Sequence, residues 1–157
     1  MANDRNDKRP VVTARVPPHN ISAEASLLGA MLLSPEAVIT ATEQGLVTAD
    51  FYKPGHQHIF DAIKSLNGSS EPVDVVTVAD ELRRNNLLDD IGGLDALLEL
   101  QNTTPAISSA ERYAKIIRDT ARLRRLISVA SDIAEIAYTE PDDVTKAIDE
   151  AESKVYA

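Results

Sequence analysis

The sequence predicts an all-α protein, a compact helical bundle followed by a C-terminal helical hairpin. Three observations carry this: apolar residues recur at spacings of three and four, helix start and stop signals bracket them, and the single β-rich run has no second strand to pair with. The last third is the most telling. At about 100° per residue, the apolar residues from Leu123 to Ala137, among them Leu126, Ile127, Val129, Ile133 and Ile136, fall within an arc of roughly 180°. Arg124, Arg125, Ser128, Ser131, Asp132 and Glu135 fill the other side. A helix on one neighbour needs an apolar stripe only a little over ~100° wide. After the break at Pro141-Asp142-Asp143, a second helix repeats Val144, Ala147, Ile148, Ala151 and Val155. The hairpin so formed covers part of the excess, and a copy of itself is the simplest cover for the rest.

Residues 1–16 are polar, lack a period and include Pro10, and read as a disordered arm. Pro17-Pro18 marks the start of order, and Asn20 or Ser22 caps a helix running to about Leu33. Ser34-Pro35, a cap followed by proline at the first helical position, starts a second helix that stops at Gly45. A third runs from about Pro54 to Leu66 with Ile59, Phe60, Ile63 and Leu66 facing inward, and Asn67-Gly68-Ser69-Ser70 ends it. Val73, Val75, Val76 and Val78 suggest a strand by composition. Asp74 as a cap and the 3.6-residue spacing of Val75, Val78, Ala79 and Leu82 favour a helix instead. Gly92-Gly93 precedes a short helix from Leu94 to Leu100, Thr103-Thr104-Pro105 is a loop, and Ser108 or Ser109 caps the long helix. The expected division is an arm at 1–16, a globular bundle at 17–108, and the long helix and hairpin, a dimerisation element, at 109–157.

The 157 residues suffice to bury roughly 68–70% of the unfolded surface in one domain. The absence of cysteine removes disulfides and thiolate zinc sites. There is no apolar signal segment at the N-terminus, and no run approaches the ~18 apolar residues of a membrane span, so the expected location is the cytoplasm without a membrane partner. With 16 Lys and Arg against 25 Asp and Glu, a net of −9, the chain should not grip nucleic acid through its whole surface, which leaves only local basic patches.

No glycine is followed by Lys-Ser/Thr in the phosphate-loop pattern and none forms G-x-G-x-x-G, so no cofactor-binding residue is expected. Without cysteine a Cys-His pair is impossible, and a Ser-His-Asp site, though open, has no elbow motif behind it, so no catalytic residue is named. The sharpest catalytic alternative is His56, His58 and Asp61 as a divalent-metal site of a small phosphoesterase. Helical residues two apart do not face each other, so the expected metal site is none, with one histidine packed and the other solvated. The run Arg112, Lys115, Arg118, Arg122, Arg124, Arg125 is the only patch suited to phosphate, with Arg122, Arg124 and Arg125 as candidate contacts. It supports a second alternative, a helical DNA-binding regulator. Its plain reading is a solvated, salt-bridged face.

The string Val16-Pro17-Pro18-His19-Asn20-Ile21-Ser22-Ala23-Glu24-Ala25-Ser26-Leu27-Leu28-Gly29 closely resembles the opening of bacterial replicative DNA helicases of the DnaB type. The similarity continues, in order and spacing, through Asp50-Phe51-Tyr52, His56 to His58-Ile59-Phe60, Pro72 to Thr77, Gly92-Gly93-Leu94 and Tyr113 to Ile117. It covers nearly everything after residue 15.

The resemblance implies the N-terminal domain of a longer protein. Such helicases follow it with a linker and a RecA-like motor that carries the phosphate loop, binds ATP and Mg2+ and unwinds DNA at the replication fork. This chain stops at Val155-Tyr156-Ala157, about where the linker would begin, so the ATPase motor is expected to be absent from it, with no cofactor and no enzymatic activity of its own. In the family, hairpins pair into dimers, three dimers form a collar on the hexameric ring, and the C-terminal domain of primase docks on the collar. A helicase loader is a further partner, and DNA binding by the fragment should be weak. The expected dimer interface is Leu126, Val129, Ile133, Ile136, Val144 and Ile148. Family members commonly carry an acidic residue, associated with partner contacts, where this chain has Ser22. Ser22, Ile127 and Ile133 are accordingly the expected primase-docking positions.

Overall fold

The computed structural model describes residues 15–157, and among them every regular element is helical. In chain order these are α1 (Ile21–Leu33), α2 (Pro35–Glu43), α3 (Pro54–Gly68), α4 (Val75–Arg84), α5 (Gly93–Thr103), α6 (Ala110–Tyr138) and α7 (Val144–Tyr156), with short 3₁₀ turns at Thr48–Asp50, Asp89–Ile91 and Ile107–Ser109. The arm read over residues 1–16 lies outside the described residues except for Arg15 and Val16.

α1 is the centre of the bundle because it is apolar nearly all round, and a helix of that kind is stable only when enclosed. Leu27, Leu28, Ala30 and Met31 are sealed from water, and α2, α3, α5 and α6 pack around them. Asn20 starts it, its side-chain oxygen accepting from the Ala23 N–H at 2.8 Å. Gly29 lets α5 come close: a Cβ there would run into the Leu100 carbonyl and the Thr104 hydroxyl.

The β-rich run is helical. Asp74 accepts from the Thr77 N–H at 2.8 Å while the Thr77 hydroxyl accepts from the Asp74 N–H at 3.0 Å, which satisfies two first-turn donors reciprocally. Val75, Val78, Ala79 and Leu82 are buried, as are Ile59, Phe60, Ile63 and Leu66 on α3. Two helices outrun their expected ends. α3 continues through Asn67 and Gly68 before Ser70 turns left-handed at φ 56°, and α5 gains a turn in which Thr103 and Thr104 donate their hydroxyls back to the Glu99 and Leu100 carbonyls. Gly92 and Gly93 sit at φ 101° and 76°, a conformation glycine takes without penalty, and join the 3₁₀ turn to α5. Ser34 and Ser109 occupy the cap positions expected of them, but neither hydroxyl makes the capping bond.

The first half of α6 closes the bundle against α1 and α2 through Ala110, Ala114 and Ile117. Its second half leaves the bundle. Asp143, accepting from the Lys146 N–H at 3.0 Å, starts α7, which folds back along it. No residue of α6 beyond Ile117 and none of α7 is buried. The core therefore ends where the hairpin begins.

Candidate interaction surface

A projecting hairpin without a core has to present its apolar side chains outward, and it does so on two sectors of α6. Counting about 100° per residue, Ile136, Val129 and Ile133 lie in one sector and are half-buried under α7. Between the helices runs a groove of about 450 Å3 with Ile133, Ile136, Ala137, Val144, Ala147 and Ile148 among its walls. Val144 and Ile148 remain 62% and 54% exposed. Nearer the bundle, Leu126 is exposed and lines a smaller cleft with Arg122, Arg125, Val129 and Val155.

The second sector is not covered by α7. Leu123, Ile127, Ala130 and Ala134 follow one another at i, i+4, i+7 and i+11, and all four are exposed. Ile127, 49% exposed, is a wall of neither of these two clefts, whereas Ile133 lines the interhelical groove. The two isoleucines thus belong to different surfaces. Ser22, exposed on the first turn of α1, belongs to neither groove.

Five of the six basic residues, Arg112, Lys115, Arg118, Arg122 and Arg125, share an arc of about 140° on α6, and Arg124 stands outside it. Arg124 differs from the other candidate phosphate contacts in facing the bundle. It stands about 160° from Arg122 and about 100° from Arg125 on the helix wheel, and it continues the bundle-facing series Ala110, Ala114, Ile117, Ala121. Its guanidinium donates to the Pro18 carbonyl at 2.9 Å and the Asp50 carbonyl at 2.6 Å, and it lies 5.6 Å from the centre of the Tyr52 ring. Arg118 donates to the Gln44 side chain at 3.2 Å, Lys115 pairs with Asp119 at 3.9 Å, and Arg125 reaches the Ala157 carbonyl at 2.8 Å. Arg122 is exposed.

His56, His58 and Asp61 do not converge. Asp61 accepts from the Thr48 hydroxyl, His58 is half-buried, and His56 is buried with its Nδ1 2.9 Å from Glu24 Oε1. Among the described residues no three His or carboxylate side chains are grouped to hold a metal ion, and no helix is long and apolar enough to cross a membrane. The Glu24 carboxylate also accepts from the Tyr52 N–H at 2.9 Å and the Lys53 N–H at 3.3 Å. Burial works to raise its pKa, but the bonds from His56, Tyr52 and Lys53 and the charge of His56 outweigh it and hold the carboxyl below its usual range. Sequence reasoning passed over Glu24. The available signal was a lone carboxylate within the otherwise small and apolar run from Ala23 to Leu33.

Residues 16–119 match the family model described as the DnaB-like helicase N-terminal domain, about two thirds of the chain. The chain belongs to this DnaB-like helicase N-terminal domain family. It is 43% identical over 141 residues to the replicative DNA helicase DnaC of Bacillus subtilis, and 42% identical over 141 residues to DnaB of Geobacillus stearothermophilus. Each alignment takes in 90% of this chain and 31% of the relative, so the chain spans about a third of the length of these helicases. The crystal structure of the DnaB N-terminal domain from Mycobacterium tuberculosis superposes with a TM-score of 0.86 at 41% identity, covering 90% of this chain and all of that one. A DnaB-like replicative helicase, described together with its interactions with primase, gives 0.72 at 26% identity, over 87% of this chain and 31% of that one. The DnaB-like N-terminal fold thus extends past the family match into the hairpin.

Proposed function

We propose that this chain is the collar domain of a hexameric replicative DNA helicase, an oligomerisation and primase-docking module with no catalysis of its own. The observation that carries the reading is the pair of open apolar surfaces on a hairpin that has no core. Family membership supplies the biological setting. The bundle at 17–108, closed by the first half of α6, is the structural head, and within 109–157 the hairpin that α6 and α7 form beyond it pairs with a second copy. Three such dimers form a ring. ATP, Mg2+ and unwinding belong to a RecA-like motor of the parent protein, which works in the cytoplasm at the bacterial replication fork.

Within the collar, the dimer contact is assigned to Leu126, Val129, Ile133, Ile136, Val144 and Ile148. The C-terminal domain of primase is assigned to Ile127 and its neighbours on the uncovered sector, with Ser22 and Ile133 as further contacts. A helicase loader enters by resemblance to the family alone. The metal-dependent phosphoesterase has no support from the separated positions of His56, His58 and Asp61. The DNA-binding regulator has little, since Arg124 is turned to the bundle, Lys115, Arg118 and Arg125 have partners within the chain, and the net charge is −9.

Sedimentation of the purified chain, alone and with the primase C-terminal domain, tests the reading. A dimer or larger species that gains primase is expected. A monomer that ignores primase at high concentration overturns it.

A further inference from the structure

Arg124 is the last residue of α6 whose side chain hydrogen-bonds to the bundle. The preceding members of its stripe, Ala110, Ala114 and Ile117, are buried, and Ala121 and Arg124 are half-buried. Beyond it, 14 residues from Arg125 to Tyr138 project as a lever about 21 Å long at 1.5 Å per residue. A tilt of about 10° at Arg124 would carry the hairpin tip about 4 Å.

What holds the lever at its base is unusually specific. The planar guanidinium donates at once to carbonyls of two separate segments, Pro18 ahead of α1 and Asp50 ahead of α3. Tyr52 lies beneath the cation and also stacks on His19, centroids 4.2 Å apart and planes within 12°. The segment gripped from outside is also gripped from inside, where the buried Glu24 carboxylate takes the Tyr52 and Lys53 N–H groups. One short stretch, residues 50–53, is therefore clamped between the core and the hairpin.

We infer that Arg124 is a positioning residue that pins the hairpin at a fixed inclination to the bundle, and that releasing it lets the hairpin pivot while both parts stay folded. The hairpin beyond Ile117 adds no buried residue to the core, and helices packed through small residues such as Ala110 and Ala114 shift by rolling or shear. Lysine cannot substitute, because a single ammonium on a flexible stem does not reproduce a planar fork spanning two carbonyls.

The chain lacks cysteine, so spin labels can be placed at Asn67→Cys on α3 and Asp149→Cys on α7, both exposed positions. Dilution with unlabelled protein restricts the reading to distances within one chain. The wild-type background should give one narrow distance. Arg124→Gln and Arg124→Lys should each lose that peak to a broad distribution, with helix content and the melting of the bundle retained. A narrow distance unchanged in both variants overturns the inference. So does loss of helix content across the whole chain in both, because Arg124 would then be a folding residue and no pivot.

Discussion

The Glu24 carboxylate and the His56 ring meet inside the bundle at 2.9 Å, 32 residues apart in sequence and exposed by 0% and 4%. The pair ties the second residue pair of α1 to the first turn of α3, and the same carboxylate takes the two N–H groups that lead into α3. It is the only carboxylate of the described residues to be buried.

Removing it should cost stability and change the acid limb. Glu24→Ala leaves His56 and two N–H groups without their acceptor, a loss of about 3–5 kcal/mol if a buried pair is broken. Because the folded-state pKa lies below the ordinary value, the carboxylate stabilises fully above about pH 4.3, the unfolded reference for Glu, and that contribution fades as pH falls through the folded-state pKa. Denaturant melts at pH 7 and at pH 3 check this. The wild type should lose more stability than Glu24→Gln between the two, and equal losses would remove Glu24 from the account.

Gly29→Ala should be destabilising although alanine is the better helix former. The gain in propensity is about 1 kcal/mol. The added methyl meets the Leu100 backbone and the Thr104 side chain, so α5 must move away from α1. Overpacking of this kind costs about 1–3 kcal/mol. A raised melting temperature in the variant would show that the two helices separate more readily than their contact suggests.

Most of the fold was legible because its determinants are local. Asp74 with Thr77, Asn20, Pro54 and the turn at Pro141-Asp142-Asp143 act within three or four residues, and the inward positions of α3 and α4 follow from period alone. Glu24 was not legible, since its partners lie 28 to 32 residues away and a carboxylate reads as surface. Arg124 was hidden differently. Adjacency in sequence grouped it with Arg122 and Arg125, whereas its angle on the helix joins it to Ile117, and its carbonyl partners are 74 and 106 residues distant. The extra turn of α5 depends on side-chain hydroxyls returning to the helix, which propensity does not register.

Self-association through the groove should be sensitive to its exposed wall. Ile133 and Ile136 are partly covered by α7, so charging them would harm the hairpin itself. Val144→Asp and Ile148→Asp alter side chains already more than half exposed and should leave helicity intact. Across an apolar contact the unpaired charges cost several kcal/mol, enough to shift the species to monomer in sedimentation. A wild type already monomeric at ~100 μM, where a ~10 μM dimer would be mostly formed, sinks the dimer.

DNA binding should be weak and screened by salt. Of the candidate phosphate contacts only Arg122 and Arg125 face away from the bundle, and the acidic balance of the chain opposes them. Whatever affinity exists should fall steeply between about 50 and 200 mM salt and diminish in Arg122→Ala with Arg125→Ala. Single-strand binding that persists at physiological salt would favour the regulator.

Ile127 offers the cleanest separation of docking from assembly. It stands six residues and about 120° from Ile133, on the sector that α7 leaves open, and its side chain is half exposed. A partner helix laid in that sector would anchor on Leu123, Ile127, Ala130 and Ala134, the i, i+4, i+7 spacing of helix-in-groove recognition. Truncating such an anchor costs about 1–3 kcal/mol. Ile127→Ala should therefore weaken binding of the primase C-terminal domain by roughly 5- to 150-fold at ~1.4 kcal/mol per decade, with the oligomeric mass unchanged. Calorimetry and sedimentation on the same variant decide it. Unchanged affinity takes Ile127 out of the docking surface. Loss of primase binding together with dissociation of the oligomer would mean that the two sectors of α6 serve one composite contact.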